Sequence, residues 1–274
     1  MTLKRKIQGL GAALALIAMA CAPARADQLA DIKAKGKIVA ATEMHFAPFD
    51  ILNDGKYEGI CKDLFDEVAK ELGVKAEYLD LPWQSVLPGL EAKKFDIVNA
   101  PVTITAERAK RYAFTLPMGN ATVAMVKKAG DGAITKPEDI AGKAAGSQKG
   151  SAQLDQLKAF SAKLPKPVDV REYVNQDEAL ADLAAGRIQA VVNSMPLMGY
   201  AAKQRSDTFA LVMPPFGDAK YFAWVARKDD DSKTLIEAVN AALLKMHGDG
   251  RLTAINQKWL GAAPELPTSM PDVN

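Results

Sequence analysis

The sequence of 274 residues contains only two cysteines and two histidines. Two cysteines can form at most one disulfide, which cannot stabilise the fold of a chain of this length by itself. A small disulfide-bonded scaffold is therefore excluded. His45 and His247 are far apart, and neither has a cysteine or a second histidine at zinc-ligand spacing. The sequence also lacks the Gly-x-Ser-x-Gly nucleophile motif and the glycine-rich loops that bind nucleotide phosphates. We therefore predict no metal and no cofactor.

Neither sign of charge is in large excess, with 35 Lys and Arg against 33 Asp and Glu. A formal net charge of +2 argues against a strongly basic nucleic-acid-binding protein. The hydrophobic and charged fractions, 49% and 25%, are those of an ordinary globular protein. The length predicts about two domains, because single cores stop growing near ~250 residues.

Long hydrophobic runs are absent except at the N-terminus. Basic residues at 4–6 precede an apolar run over 10–18, and Ala-Arg-Ala at 24–26 has the small-x-small pattern of a cleavage site. The run is too short to span a bilayer core of about 30 Å, so we predict a cleaved secretory signal over residues 1–26. A membrane anchor is the alternative, and a lipoprotein through Cys21 lacks the usual leucine three residues earlier.

Removal of the predicted signal changes the charge balance. Residues 1–26 carry four basic and no acidic side chains, so the remainder has 31 basic and 33 acidic residues and a net charge of −2. The remainder keeps Cys61 as its single cysteine. We therefore expect an exported protein without a disulfide of its own.

Short apolar runs alternate with amphipathic segments along the rest of the chain, which is typical of an α/β fold. The clearest helix covers residues 60–72, where the apolar side chains share one face and Gly73 ends the pattern. The other predicted strands are 36–41, 76–79, 95–98, 123–128, 143–146, 168–173, 188–192 and 221–228. The other predicted helices are 85–92, 152–160, 177–185, 232–246 and 250–260.

Two features could bind an anion. Arg108 follows a predicted strand and could hold a carboxylate with two parallel hydrogen bonds, although an ordinary surface arginine on a helix fits equally well. Gly150 and Ser151 precede a predicted helix, whose free amides also suit an anion. Many helices begin in this way, so the second feature is not specific.

Other side chains allow a functional and a structural interpretation. Phe46, Phe49 and Trp83 lie in predicted loops, where they could line a pocket or simply pack. His45 fits a polar residue at a strand end better than a ligand or a base. Cys61, beside the apolar face of the predicted helix, is interpreted as a small core residue.

Several short motifs also occur in a fixed order along the chain. They are FAPF at 46–49, NDG at 53–55, GI at 59–60, WQSVLP at 83–88, KFDIV at 94–98, TIT at 103–105, ER at 107–108, LAAGRI at 183–188, GDG at 248–250 and KW at 258–259. As an ordered set they resemble the family 3 bacterial extracellular solute-binding proteins, the periplasmic polar amino-acid receptors of ABC importers. The resemblance extends from about Leu29 to Gly261.

The resemblance implies a two-lobed periplasmic-binding-protein fold of the α/β class, with two hinge crossovers and a ligand cleft between the lobes. The crossovers would lie near residues 123–125 and 221–223. The implied organisation is a signal peptide at 1–26, lobe one at 27–123 and 223–262, lobe two at 124–222, and a C-terminal tail at 263–274.

The resemblance also implies how a ligand carboxylate is bound. Arg108 matches the arginine that pairs with the ligand α-carboxylate, and Thr103 matches the residue that adds hydrogen bonds beside it. Ser151, after Gly150, matches the helix start in lobe two that completes the carboxylate site.

Three further positions match the part of the family site that surrounds the ligand side chain. Phe46 and Trp83 match aromatic residues that flank it. Glu43 matches an acidic position that, in receptors for basic amino acids, reaches a cationic side chain.

Two positions depart from the family pattern. Ser194 stands where an aspartate usually holds the ligand α-ammonium, and Ala100-Pro101 stands where Ser-Gly is common. A serine hydroxyl cannot neutralise an ammonium in a closed, poorly solvated cleft. Either Glu43 takes over that charge, or the ligand is not a standard free α-amino acid.

The resemblance predicts a monomeric periplasmic binding component of an ABC importer, not an enzyme. It would capture a small carboxylate-bearing solute, an amino acid or a derivative, and deliver it to cognate permease subunits in the inner membrane. The alternative is a periplasmic enzyme on the same fold, similar to a cyclohexadienyl or arogenate dehydratase, with only Glu43 and His45 as acid or base in the cleft. A receptor sensor domain is disfavoured because the sequence has no second apolar span.

Overall fold

A computed structural model describes residues 27–272 of the chain. The predicted signal segment, 1–26, lies outside the described residues. In chain order the helices and strands are α1 (Gln28–Lys35), β1 (Lys37–Thr42), β2 (His45–Phe46), β3 (Asp50–Asn53), β4 (Lys56–Glu58), α2 (Ile60–Leu72), β5 (Lys75–Asp80), α3 (Trp83–Glu91), β6 (Ile97–Thr103), α4 (Ala106–Arg111), β7 (Tyr112–Phe114), β8 (Gly119–Asn120), β9 (Val123–Lys128), β10 (Ala144–Gln148), α5 (Ala152–Ser161), β11 (Asp169–Tyr173), α6 (Gln176–Ala184), β12 (Ala190–Ser194), α7 (Met195–Gln204), β13 (Phe209–Phe216), β14 (Tyr221–Arg227), α8 (Lys233–Asp249) and α9 (Arg251–Leu260).

The first sheet has the strand order β5-β1-β6-β14-β7, and β8 pairs with β14. Strand β1 runs parallel to β5 and β6, while β14 runs antiparallel to β6, β7 and β8. Helices α2 and α8 pack together over the core of this sheet, where the rings of Phe65 and Trp224 meet edge to face at 5.2 Å between centroids. The last helices of the chain therefore return to the sheet that the first strands begin.

The second sheet has the order β11-β10-β12-β9-β13. Strand β10 is parallel to β11 and β12, and β9 is antiparallel to β12 and β13. Helices α5, α6 and α7 pack against it. Each sheet thus combines parallel strands joined through helices with one long antiparallel strand, which makes a mixed α/β fold with two lobes.

Two short segments connect the sheets. The chain leaves the first sheet after Asn120 and enters the second at Val123, and it returns between Phe216 and Tyr221. Val123 is already paired in the second sheet, and Tyr221 in the first. The connecting residues therefore precede the predicted hinge positions by one to a few residues, and the predicted lobe boundaries remain a prediction.

A small third sheet, β2-β3-β4, lies beside α2. In its register Phe46 is opposite Asp50. Gly59, the N-cap of α2 with φ 129°, comes so close to the turn before β3 that a Cβ there would lie 2.3 Å from the carbonyl oxygen of Phe49. Any larger residue at this position would therefore force the start of α2 away from the backbone of Phe49 and Asp50.

Several boundaries differ from the sequence prediction. Strand β6 does not stop at residue 98 but continues, buried throughout, to Thr103. Trp83 begins α3 and Phe46 belongs to β2, so neither lies in the predicted loops. Helices α1 and α7 and strand β13 were not predicted. No helix within the described residues is both long enough and apolar enough to cross a bilayer.

Candidate functional site

A narrow cleft lies between the two sheets. Side chains from both sheets line it: Glu43, Phe46, Trp83, Ala100, Pro101, Thr103, Arg108, Gln148, Ser151, Ala152, Gln153 and Phe222. The carboxyl ends of the parallel strands β1, β6 and β10 lead into it, which is where α/β sheets usually bind ligands. Eight of the ten residues predicted for the site are in this lining.

Arg108 is positioned by the first turn of α4. The Thr105 hydroxyl caps this helix by accepting a hydrogen bond from the Arg108 amide at 3.2 Å. The guanidinium donates through Nη1 to the Thr103 carbonyl at 3.2 Å and through Nη2 to the Gly150 carbonyl at 3.1 Å. Burial lowers the pKa of Arg108, but an arginine stays protonated in such a setting. A fixed positive charge thus faces the cleft.

Trp83 covers this charge from the first residue of α3. The Arg108 guanidinium lies 5.5 Å from the centroid of the indole ring, within range of a cation–π interaction. The indole Nε1 donates to the Gly150 carbonyl at 3.2 Å. Gly150 itself lies outside the lining of the cleft, but its carbonyl accepts from two side chains of the opposite lobe.

Ser151 caps helix α5 at the side of the second sheet. Its hydroxyl accepts from the Leu154 amide at 3.1 Å and donates to the Gln148 carbonyl at 2.7 Å. The hydroxyl is therefore engaged in holding the helix start, and the first amides of α5 are what this helix presents toward the cleft.

Glu43 follows β1 and is buried, with 5% of its surface exposed. Its Oε2 accepts a hydrogen bond from Gln148 Nε2 at 2.6 Å, a contact between the two lobes. Burial raises the pKa of Glu43 to about 7, the charges of Asp80 and Asp177 add to the rise, and the Gln148 bond opposes it. Glu43 therefore changes charge near neutral pH.

A further hydrogen bond joins the lobes beside Arg108. Gln153 Nε2 donates to the Thr103 hydroxyl at 3.1 Å, and both side chains are buried. Gln148, Ala152, Gln153 and Phe222 belong to the lining but were not predicted. Glutamine and alanine carry no motif, and Phe222 lies within a strand where packing alone would explain an aromatic residue.

Ser194 is not among the residues that line the cleft. It ends β12, is fully buried, and its hydroxyl has no hydrogen-bond partner among residues 27–272. Its amide donates to the Asn193 side chain at 2.7 Å, and Asn193 in turn donates to Gln176. The position of Ser194 therefore carries no acidic group, and Ser194 is not part of the lining of the cleft.

The remaining candidates lie outside the cleft. Phe49 is fully buried and packs edge to face on Phe222, with ring centroids 5.2 Å apart. His45 is half exposed, and its Nδ1 lies 3.4 Å from a carboxylate oxygen of Asp177. Cys61 is buried in the core, as predicted. Within the described part of the chain, no three His, Cys, Asp or Glu side chains are grouped so that they could hold a metal ion.

Comparison with known proteins adds the family context. The sequence model of the family described as "Bacterial extracellular solute-binding proteins, family 3" matches residues 38–262. The L-cystine-binding protein TcyJ of Escherichia coli K12 is 32% identical, over 91% of this chain and 93% of that protein. The L-arginine-binding protein of Pseudomonas aeruginosa PAO1 is 31% identical, over 79% and 85%. Both relatives are named as amino-acid-binding proteins.

One solved structure shares the same fold and also bears on the enzyme alternative. The ancestral amino acid-binding protein AncCDT-1, a precursor of cyclohexadienyl dehydratase, superposes with a TM-score of 0.78. Its sequence is 30% identical, and the match covers 85% of this chain and all of the other. The neighbour is itself an amino acid-binding protein.

Proposed function

Because the chain belongs to the bacterial extracellular solute-binding proteins of family 3, we propose that it is the periplasmic binding component of an amino-acid ABC importer. It captures an amino acid or a derivative between its lobes and delivers it to the permease subunits in the inner membrane. The predicted signal over residues 1–26 directs the chain to the periplasm. The protein acts as a monomer and performs no reaction on its ligand.

The observation that carries this proposal is the placement of Arg108. Its guanidinium has five N–H donors, and the two interactions with the Thr103 and Gly150 carbonyls use only part of them. The remaining donors, together with the first amides of α5, suit a carboxylate between the lobes. Arg108 and Thr103 therefore bind the ligand carboxylate from the first lobe, and the Ser151 end of α5 binds it from the second.

Glu43 binds the positively charged end of the ligand. It is the acidic side chain in the lining of the cleft, and Ser194 is not part of that lining. A carboxylate and a guanidinium in the lining of the same cleft suit a zwitterionic or cationic solute. The side chains of Phe46 and Trp83, with the small residues Ala100 and Pro101, add apolar surface to the lining.

Binding of the ligand favours closure of the two lobes. Hydrogen bonds already join the two lobes: Trp83 and Arg108 of the first lobe donate to the Gly150 carbonyl, and Gln148 of the second lobe donates to Glu43. A ligand that contacts both lobes favours the closed arrangement, because only there does it make all of its interactions.

Isothermal titration with Arg108→Ala tests the proposal. Purified protein is first screened by thermal shift against the common amino acids, cystine, betaines and other small carboxylates, since a ligand that binds only the native state raises its apparent stability. We expect the best ligand to lose at least about 100-fold in affinity in the variant, because a buried carboxylate loses its charged partner. Unchanged affinity would refute the role of Arg108.

Arg111→Ala is the matched control. Arg111 lies on the same helix, pairs with Glu91 at 2.5 Å and is not part of the cleft lining. Its removal should leave ligand affinity within about twofold, because exposed ion pairs contribute little. Equal losses in both variants would indicate a disturbed helix rather than a lost carboxylate contact.

The second candidate function is a dehydratase, and the likeness to AncCDT-1 is the observation that favours it. Glu43 would then act as the acid or base, since its pKa near 7 suits proton transfer at neutral pH. Incubation of the purified protein with prephenate and with arogenate distinguishes the dehydratase from the binding protein. Stoichiometric binding without product supports the binding protein, and catalytic turnover supports the enzyme.

A further inference from the structure

The two segments through which the chain passes between the sheets are themselves joined. We call residues 121–122 the first connector and residues 217–220 the second connector. The Ala121 amide donates to the Lys220 carbonyl at 2.8 Å, so a main-chain hydrogen bond holds the two connectors together. A rotation of one lobe against the other changes the backbone torsions of these segments. A side chain that fixes a connector therefore also fixes how the lobes face each other.

Gln156 of α5 holds the second connector from the second lobe. Its Oε1 accepts a hydrogen bond from the Asp218 amide at 2.8 Å. The peptide unit between Gly217 and Asp218 is planar, so this bond fixes its orientation and restricts the backbone torsion on either side of it.

Gly217 is the residue of the second connector with the greatest backbone freedom, and Gln156 packs directly against it. Gly217 has φ +75°, in the left-handed region that favours glycine. A Cβ on Gly217 would lie 2.3 Å from Gln156 Oε1 and 3.3 Å from Gln156 Cδ. The same amide group of Gln156 thus contacts Gly217 and binds the residue that follows it.

Helix α5 links this contact to the binding site. Ala152, the first residue of α5, lines the cleft, and Gln156 follows four residues later on the same face of the helix. Gln156 and Lys220 also line a neighbouring cavity, which shares Arg108 and Ala152 with the lining of the cleft. The helix whose first amides face the cleft is therefore attached, one turn later, to the second connector.

We propose that Gln156 is a positioning residue of the binding site, which holds the second connector in the arrangement that lets both lobes contact the ligand. The proposal rests on the proposed capture of a ligand between the lobes. Gln156 is not part of the lining of the cleft, so it acts through the connector and not on the ligand. Without its side chain the connector gains torsional freedom, and binding must order it again at a cost in affinity.

Amide hydrogen exchange measured by NMR tests the effect on the connectors without a ligand. In Gln156→Ala the Asp218 amide loses its acceptor and should exchange about fivefold faster. The Ala121 amide should also exchange faster, because its acceptor, the Lys220 carbonyl, lies in the segment that Gln156 holds. A purely local role of Gln156 predicts a change at Asp218 alone, so unchanged exchange at Ala121 overturns the proposal.

Isothermal titration with the best ligand of the thermal-shift screen tests the effect on binding. Gln156→Ala should bind this ligand about three- to fivefold more weakly than the unmodified protein. Gln257→Ala is the matched control, because it also removes a glutamine bond to the main chain, from Gln257 Nε2 to the Gly261 carbonyl at 2.9 Å at the end of α9. The control should keep its affinity, and equal affinities in the two variants overturn the proposal.

Gly217→Ala disturbs the same contact from the side of the connector. The added Cβ would displace Gln156 Oε1, so this variant should also bind the ligand more weakly. In the double variant with Gln156→Ala the loss of affinity should be smaller than the product of the two single losses, because both substitutions break one contact. Independent, multiplicative losses overturn the proposal. If no ligand of the screen binds, the proposed function fails, whereas exchange at Ala121 still decides whether Gln156 holds the connectors.

Discussion

Trp83 and Arg108 donate to the same acceptor, the carbonyl oxygen of Gly150, from the opposite side of the cleft. The donor distances are 3.2 Å from the indole Nε1 and 3.1 Å from the guanidinium Nη2. The guanidinium also lies 5.5 Å from the centre of the indole ring. The two side chains therefore stack on each other and together attach the first lobe to the start of α5 in the second.

Trp83→Phe should weaken ligand binding by about fivefold. The substitution keeps an aromatic face for Arg108 but removes the Nε1 donor, and one neutral hydrogen bond contributes about 1 kcal/mol. Isothermal titration with the best ligand of the thermal-shift screen measures the change. Trp259→Phe is the control, because the Trp259 indole donates to Asp63 at 2.8 Å, away from the cleft. Equal effects in both variants would contradict a specific role for the bond to Gly150.

Gly150→Ala should reduce both stability and binding. Gly150 has φ +74°, a left-handed conformation that costs an alanine about 1 kcal/mol, and a Cβ there would lie 3.7 Å from Trp83 Nε1. Gly130→Ala provides a matched comparison, since Gly130 has φ +77° and no atom within 4 Å of the added Cβ. Chemical denaturation should show similar losses of stability in the two variants. Only Gly150→Ala should also lower ligand affinity. An equal loss of affinity in Gly130→Ala would contradict the role of the Gly150 carbonyl as the acceptor for Trp83 and Arg108.

Much of the fold follows from local sequence patterns. The apolar stripe and Gly73 predict α2 at its observed bounds, Ile60–Leu72, because the pattern and the αL cap depend on neighbouring residues alone. Helix α7 was not predicted, because Gly199 in its interior is an unfavourable helix residue and the short segment has no clear apolar stripe; Pro196 lies in the first turn, where proline is tolerated. Its burial against β9, β12 and β13 outweighs that preference.

The candidate site is only partly accessible to sequence reasoning. Arg108 and Trp83 stand in recognisable motifs, whereas Gln148 and Gln153 acquire their importance from partners in the other lobe, Glu43 and Thr103. Those contacts depend on how two sheets face each other, which no local pattern encodes.

Glu43→Gln should make the protein more stable above neutral pH. The pKa of Glu43 is about 7 in the folded protein, above the ordinary 4.5, so the folded state retains a proton that the unfolded state has lost. Stability therefore decreases as pH rises from about 4.5 through 7, and the full penalty is present above pH 7. Glutamine cannot ionise, so the variant should gain on the order of 2 kcal/mol between pH 5 and pH 8 relative to the unmodified protein.

Urea denaturation at pH 5, 6, 7 and 8 measures this difference in the free energy of unfolding. Glu71→Gln is a suitable control, because Lys245 and Arg251 lower the pKa of Glu71, which contributes in the opposite direction and at lower pH. A difference between Glu43→Gln and the unmodified protein that is the same at all four pH values would exclude a titration of Glu43 in this range.

Ser194→Ala and Ser151→Ala should have opposite consequences. The Ser194 hydroxyl is buried without a partner in the described chain, so its removal should leave stability unchanged or raise it slightly. The Ser151 hydroxyl accepts from the Leu154 amide at the N-cap of α5, so its removal should cost about 1 kcal/mol of stability.

Ligand affinity should also differ between the two variants. Ser194→Ala should keep its affinity within about twofold, while Ser151→Ala should lose affinity because the helix start that faces Arg108 is loosened. Denaturation and calorimetric titration of the two variants measure both effects. A large loss of affinity in Ser194→Ala would place this hydroxyl on the ligand after all and contradict the assignment of the cationic end to Glu43.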